Sequence, residues 1–263
     1  MALKPSGGRD WLWTIWLALA APFVLFLLGP PVGLTIAGGN VLGKLLEPES
    51  IQAMVLSLWT TAVCTLCAVL FGTPLALLLA RGRIPLRGVI EALIDLPVVL
   101  PPAVAGIALL LVFGRQGPVG GWLEGHGVSI AFTSTAVVLA QLFVASPLYV
   151  RAAIAAFASL PAEVEQNARL DGASPGRAFW RVSLPLVRRP LLAGAGLCWA
   201  RALGEFGATI LFAGAMPGRT QTMPLAIYIG FETDLDAAIS LSVVLLALAL
   251  VVTWAIRAAM RGA

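Results

Sequence analysis

Several residue groups have the types and spacing of chemical sites, and most of them fail on context. Gly172-Ala173-Ser174-Pro175-Gly176 has the G-x-S-x-G form of a hydrolase nucleophile turn. That chemistry needs a strand entering the turn and a histidine after the serine to take its proton. Here a helical pattern enters, and the single histidine, His126, lies upstream, on the opposite membrane face in the topology derived below. Gly38–Lys44 reads GGNVLGK and approaches a phosphate-binding loop, but Leu45 stands where the magnesium-binding Ser or Thr belongs. ATP binding by this chain is therefore not expected, and any ATP-driven process needs a second polypeptide. Cys64 and Cys67 form a C-x-x-C inside an apolar helix, with no second cysteine pair or histidine cluster to complete a metal or redox site. They read as small hydrophobes buried on one helix face. His126 reads as a solvated loop residue. The sequence thus offers no catalytic, cofactor-binding or metal-ligating set.

Two groups survive. Arg201, Glu205 and Thr209 recur at one-turn spacing inside an apolar segment, beside a stripe of small residues, Gly196, Ala200, Gly204 and Ala208. Small-xxx-small stripes let helix backbones approach closely. An unpaired charge near a bilayer centre costs roughly 2.5–3.5 kcal/mol. Two opposite charges one turn apart offset each other, so Arg201 and Glu205 are predicted to pair, facing protein or water. The pair either fixes helix packing or gates a pathway. A paired arginine has little attraction left for an anion, so this stripe alone does not specify the cargo.

The second group is Glu163–Pro185, the longest polar stretch in the chain, with Glu163, Glu165, Arg169, Asp171, Arg177 and Arg181 around a Gly-Ala-Ser-Pro-Gly turn. Pro161 suits a first helical turn, where its missing N–H is no loss. Gly172 suits the left-handed position that ends a helix. Ser174 and Pro175 read as N-cap and first position of a second helix running through Phe179 and Trp180. Two short helices meeting at a tight corner form a polar elbow, a surface for another protein to grip.

The elements that must hold these groups are apolar. The 263-residue chain is 59% hydrophobic and 11% charged, a composition that makes the lipid bilayer its solvent. A single transmembrane domain is predicted, with spans at about 13–36, 53–80, 96–113, 132–150, 191–213 and 237–256 and a polar loop at 151–190. Met1–Asp10 precedes an apolar run too long for a cleaved signal, so the first span is expected to be retained. Gly29-Pro30-Pro31 is predicted to kink or break it near its outer end. The third span opens on Leu96-Pro97-Val98-Val99-Leu100-Pro101-Pro102, where a regular helix cannot form. Irregular backbone at membrane depth survives only inside protein or along a watery cavity, which places Pro97, Pro101 and Pro102 near a pathway. Segments 41–50, 114–131 and 214–236 read as loops.

Basic residues set the orientation. Thirteen fall on the side of the N-terminus and three, Lys44, Arg115 and Arg219, on the other, with Arg201 inside a span. The positive-inside rule then puts both termini and the elbow in the cytoplasm. The net charge of +4 follows from this topology and does not call for a nucleic-acid partner.

At the elbow the sequence resembles a known family. Glu165–Pro185 resembles the cytoplasmic "EAA" loop of ABC-importer permeases, with Gly172-Ala173-Ser174-Pro175 followed by Phe179-Trp180-Arg181-Val182-Ser183-Leu184-Pro185. Where that family has Glu-Ala-Ala, this chain has Gln166-Asn167-Ala168, with Glu165 one place earlier. Ala200–Thr209 (ARALGEFGAT), Asp95-Leu96-Pro97 with Pro101-Pro102, Gly114–Pro118 with Gly120, and Pro217–Thr222 are similar to the molybdate, tungstate and sulfate branch. The length and six-span plan fit its molybdate members. The resemblance implies an all-α integral membrane protein of the type I importer permease fold, working as a homodimer in the cell inner membrane. It implies two cytoplasmic ATPase subunits holding the ATP and magnesium, and an extracytoplasmic oxyanion-binding protein. Transport of molybdate or tungstate would follow by alternating access, with sulfate or thiosulfate as the alternative cargo; an intramembrane enzyme or a passive channel are remoter readings. The ATPase-coupling residues implied are Glu165, Asp171, Gly172, Ala173, Ser174, Pro175, Phe179, Trp180, Leu184 and Pro185. Pro97, Pro101, Pro102, Arg201, Glu205 and Thr209 are the pathway or gate candidates.

Overall fold

The computed structural model describes residues 11–38 and 41–261. Lys4 and Arg9, and Gly39-Asn40 of the GGNVLGK segment, lie outside them. The described residues form α-helices joined by short turns, with one π-helical stretch and no strand. In order these are α1 (Trp11–Ala37), α2 (Val41–Leu45), α3 (Pro48–Ala80), α4 (Arg87–Val99), α5 (Pro102–Phe113), α6 (Pro118–Glu124) and α7 (Ser134–Ala158). They continue as α8 (Ala162–Leu170), α9 (Pro175–Ala178), the π stretch Phe179–Ser183, α10 (Leu184–Leu203), α11 (Gly207–Phe212), α12 (Met223–Thr233) and α13 (Leu235–Arg261).

Helices α1, α3, α7 and α13 are each long and apolar enough to cross a membrane. The pair α4 and α5 passes the same test jointly but bends by 116° at its break. Helix α10 has the length of a span, with Arg188 and Arg189 near one end and Arg201 near the other. The predicted breaks fall differently from the sequence reading. Helix α1 runs unbroken through Pro22, Pro30 and Pro31. In a bilayer the backbone groups a proline frees are re-satisfied locally, so the helix survives it. Pro97 sits buried within α4, and the break comes at Leu100-Pro101. The segments read as loops contain α2, α6 and α12, because their Gly and Pro residues mark helix starts: Pro118 and Pro224 open α6 and α12.

The core is the α3, α7 and α10 layer, closed around Cys64, Tyr149, Ala153, Phe157, Cys198 and Ala202. Lipid is as apolar as leucine, so close van der Waals packing rather than water exclusion holds such helices together. Glycines set the approach. A Cβ on Gly194 would lie 2.7 Å from Ala152 Cβ of α7, and one on Gly72 would lie 3.0 Å from Val150 Cγ2. Gly196 gives α13 the same access, with Ile256 Cγ1 at 2.7 Å from the position of an added Cβ. Cys64 and Cys198 are buried, whereas Cys67 is only half-buried, since three residues of helix turn it away from the seam. Helix α12 is tied to α3 where Ser57 Oγ accepts from the Met223 N–H at 2.7 Å.

Polar clamps fix the ends of the bundle. Arg151 of α7 grips α4: its Nε donates to Asp95 Oδ1 at 2.6 Å, its Nη2 to Asp95 Oδ2, and its Nη1 to Glu91 Oε2 at 3.2 Å. Arg87 completes the cluster on Glu91 Oε1 at 2.6 Å. At the far end Lys44 bridges Glu47 (3.0 Å) and Asp234 (2.7 Å), joining α2 to the α12–α13 corner. There Asp234 Oδ1 also accepts from the Ala237 N–H at 3.1 Å, capping α13. The Lys44 ammonium, then that capping bond, hold the Asp234 carboxyl below the usual range.

Candidate coupling elbow and membrane-embedded ion pair

The elbow forms at the predicted glycine. Gly172 has φ +85°, the left-handed conformation that only glycine adopts without strain. The Gly172 N–H donates to Arg169 O (3.0 Å) and the Ala173 N–H to Ala168 O (2.9 Å). These are the two bonds of a Schellman cap, and they satisfy the last carbonyls of α8. Ser174 then caps α9, its Oγ accepting from the Arg177 N–H at 3.4 Å, with Pro175 at the first helical position.

The second arm is not a short helix. From Pro175 the chain runs through the π stretch at Phe179–Ser183 directly into α10, so elbow and span share one continuous rod ending at Leu203. Phe179 packs inward against Phe157 and onto the α3–α7–α10 core. Trp180 points outward, 68% exposed, as are Asp171, Gly172 and Pro175. Leu184 is half-buried and Pro185 exposed at the first turn of α10.

Glu165 locks the corner. Its Oε1 accepts from Arg81 Nη2 and from Ser183 Oγ, both at 2.8 Å. Arg81 Nη1 also donates to Leu160 O at 3.2 Å. One carboxylate therefore joins the end of α3, the first elbow helix and the root of α10. Burial pushes the Glu165 carboxyl up, but Arg81 and then Ser183 outweigh it and hold it below the usual carboxylate range. The sequence reading named Glu165 but missed Arg81 and Ser183. Arg81 is one of several basic residues at that edge, 84 positions from its partner, and no spacing rule reaches so far.

At the other end of α10 lies the second candidate group. Arg201 Nη1 and Glu205 Oε2 pair at 2.8 Å, one turn apart as predicted. The stripe they were read from does not continue as one helix. Helix α10 ends at Leu203, and Gly204-Glu205-Phe206 breaks the rod before α11. Glu205, 1% exposed, uses Oε1 to accept from the Ala208 N–H at 2.9 Å, so it satisfies a free donor at the start of α11. Thr209 is buried on α11, and its Oγ1 has no hydrogen-bond partner among the described residues. The small-residue stripe divides accordingly: Gly196 faces α13, whereas Ala208 packs on Gly106 of α5.

Pro102 meets this break. A Cβ on Gly207 would lie 2.6 Å from Pro102 Cβ, so the α4–α5 bend is seated on the α10–α11 bend. The structure thus gathers Pro102, Arg201, Glu205 and Thr209 around one interruption, while Pro97 stays within α4. Gln141, 1% exposed on α7, is a further buried polar residue that sequence reading missed, its amide lost among apolar neighbours. At 1.5 Å per residue the break lies about 30 Å along α10 from the elbow.

A bundle of apolar helices with interrupted segments at one end of the α10 rod and a polar elbow at the other is built as a membrane transport subunit. Residues 72–261 match the binding-protein-dependent transport system inner membrane component family, and the chain belongs to it. It is thus a multi-pass inner-membrane transport component. The molybdenum transport system permease protein ModB of Mycobacterium tuberculosis is 49% identical over 205 residues, covering 78% of each chain. The probable sulfate transport system permease protein cysT of Chlorokybus atmophyticus is 34% identical over 248 residues, 92% of this chain and 86% of that one. The crystal structure of a bacterial ABC transporter that imports the acidic polysaccharide alginate shares the fold, with TM-score 0.74, 17% identity and 96% of each chain covered.

Proposed function

We propose that this chain is the permease subunit of an ATP-driven importer that brings molybdate or tungstate into the cytoplasm. The observation that carries the reading is the 49% identity to a molybdenum transport permease over 78% of both chains. The chain would work as a homodimer over two cytoplasmic ATPase subunits that hold the ATP and magnesium, with an extracytoplasmic binding protein delivering the oxyanion. Its six crossings would be α1, α3, the α4–α5 pair, α7, α10 with α11, and α13, both termini being cytoplasmic.

The elbow, residues 165–185 within the 151–190 loop, would be gripped by the ATPase. Asp171, Gly172, Ala173, Ser174, Pro175 and Trp180 would form the contact surface, with Glu165, Phe179, Leu184 and Pro185 joining it to the span. The unbroken passage from α9 into α10 supports this role, because a rigid rod transmits a displacement that a flexible loop would absorb. The break around Pro102, Arg201, Glu205 and Thr209 would be the gate, with Pro97 and Pro101 shaping its approach. Irregular backbone at membrane depth is characteristic of a pathway.

Vesicles containing the chain, its ATPase and its binding protein should take up labelled tungstate only when ATP is present. Uptake without ATP or partner would overturn the reading. Sulfate or thiosulfate is the second reading, supported by the 34% identity to a probable sulfate permease. Tungstate uptake abolished by a modest excess of sulfate would favour it.

A further inference from the structure

We infer that the groove between the elbow-side ends of α10 and α13 is a binding site for the phosphate headgroup of an anionic phospholipid. The groove has a volume of about 430 Å³ and is lined by Pro185, Leu186, Arg188, Arg189, Pro190 and Met260. Arg189 is half-buried and Arg188 exposed, and neither has a carboxylate partner among the described residues. Every other described arginine at the root of the bundle that approaches burial, Arg81 and Arg151, is matched to an acid. Two adjacent guanidiniums with no acid of the chain to pair with favour an anion from outside it.

The surroundings select the anion. Gly196 and Ile256 mark where α10 and α13 touch. The groove opens about two turns beyond that contact along α10 and about one turn along α13, where the helices diverge. Its walls are apolar, with Leu186 58% and Met260 55% exposed. A hydrated oxyanion gains nothing from such walls. A lipid matches both parts: guanidiniums take the phosphate in bidentate fashion, and an acyl chain lies along the apolar flank. Basic pockets between membrane helices are suited to acidic headgroups. Because Pro185 belongs to both the groove and the elbow, a bound lipid would brace the root of α10.

The proposal depends on the membrane placement of α10 and α13 but not on the transported ion, so failure of tungstate uptake leaves it standing. Native mass spectrometry of the purified transporter in detergent tests it, with phosphatidylglycerol or phosphatidylcholine added. Phosphatidylglycerol adducts should persist where phosphatidylcholine is lost. Arg188→Gln with Arg189→Gln should weaken retention by about twenty-five-fold, since each basic residue near an anionic surface contributes on the order of a factor of five. The charge-retaining Arg188→Lys, Arg189→Lys variant should keep most of it, and Arg177→Gln, outside the groove, should change nothing. Equal retention of both lipids, or an unchanged adduct in the glutamine variant, would overturn the proposal. Displacement of the lipid by millimolar inorganic phosphate or tungstate would assign the groove to a soluble anion instead. Loss of the ATPase subunit from the glutamine variant with lipid retention intact would assign it to a protein contact.

Discussion

Two arginine–glutamate pairs stand at opposite ends of α10, and they differ in what they join. Arg81–Glu165 spans three elements and draws in Ser183 and the Leu160 carbonyl. Arg201–Glu205 spans one helical turn, and its second carboxylate oxygen serves a backbone N–H three residues on. The first is a rivet between separate parts of the chain, partly in contact with water. The second is a local cap at a break, with its glutamate almost fully enclosed. The same two residue types therefore hold a corner rigid at one end and an interrupted helix together at the other.

The contrast is sharpest on removing each acid. Glu205→Ala should cost about 3 kcal/mol, since it takes a charge-assisted bond from Arg201 and leaves the buried Ala208 N–H without its acceptor. The loss should appear as a large drop in thermal stability in detergent and loss of uptake. A variant as stable as the parent would break the comparison at its enclosed end. Glu165→Ala should cost less, about 2 kcal/mol, because it takes charge-assisted bonds from Arg81 and Ser183 but leaves no backbone donor without its acceptor. Its signature should be ATP hydrolysis that continues without matching uptake, measured in the same vesicles. Gly172→Val adds no collision, for no atom lies within 4 Å of its Cβ position. Its cost is conformational, about 1–2 kcal/mol for a non-glycine residue held left-handed, and uptake should fall relative to hydrolysis as it does for Glu165→Ala. Ser183→Ala removes one acceptor-bound hydroxyl and should cost about 1 kcal/mol, visible as a small shift in melting temperature.

Acid should erase the elbow's contribution by a defined route. The Glu165 carboxyl sits below its ordinary value of about 4.3 in the folded chain. A depressed carboxyl stabilises the fold above the unfolded value and loses that stabilisation as pH falls through the folded one. The stability gap between the parent and Glu165→Gln should therefore be full at neutral pH and close progressively below about pH 4.3. A gap that held constant into that acid range would mean the carboxylate charge is not what locks the corner.

How legible each region was in the sequence follows from the same difference. The local features could be read directly: Gly172 as a left-handed cap, Ser174-Pro175 as a helix start, and Arg201 with Glu205 as a one-turn pair. Their causes lie within a few residues of one another. The Arg81 rivet and the Arg151 clamp on Asp95 and Glu91 could not, because both depend on helices far apart in sequence meeting side by side. The break at Gly204–Phe206 was obscured by its own pattern. Small residues and charges at spacing four look the same whether the helix continues or pauses, and only the seat that Pro102 takes on Gly207 distinguishes them. In α12 the apolar run MPLAIYIGFE was outweighed by its polar flanks, so a helix was read as loop.

The π stretch at Phe179–Ser183 carries one residue more than an ordinary helix would place there. That surplus residue turns everything before it by roughly 100° about the axis of α10. Angular phase, and not only distance, thus decides whether Ser183 meets Glu165 and whether Trp180 faces outward. Deleting a single residue from that stretch would leave a more regular rod with its handle swung a quarter-turn out of line.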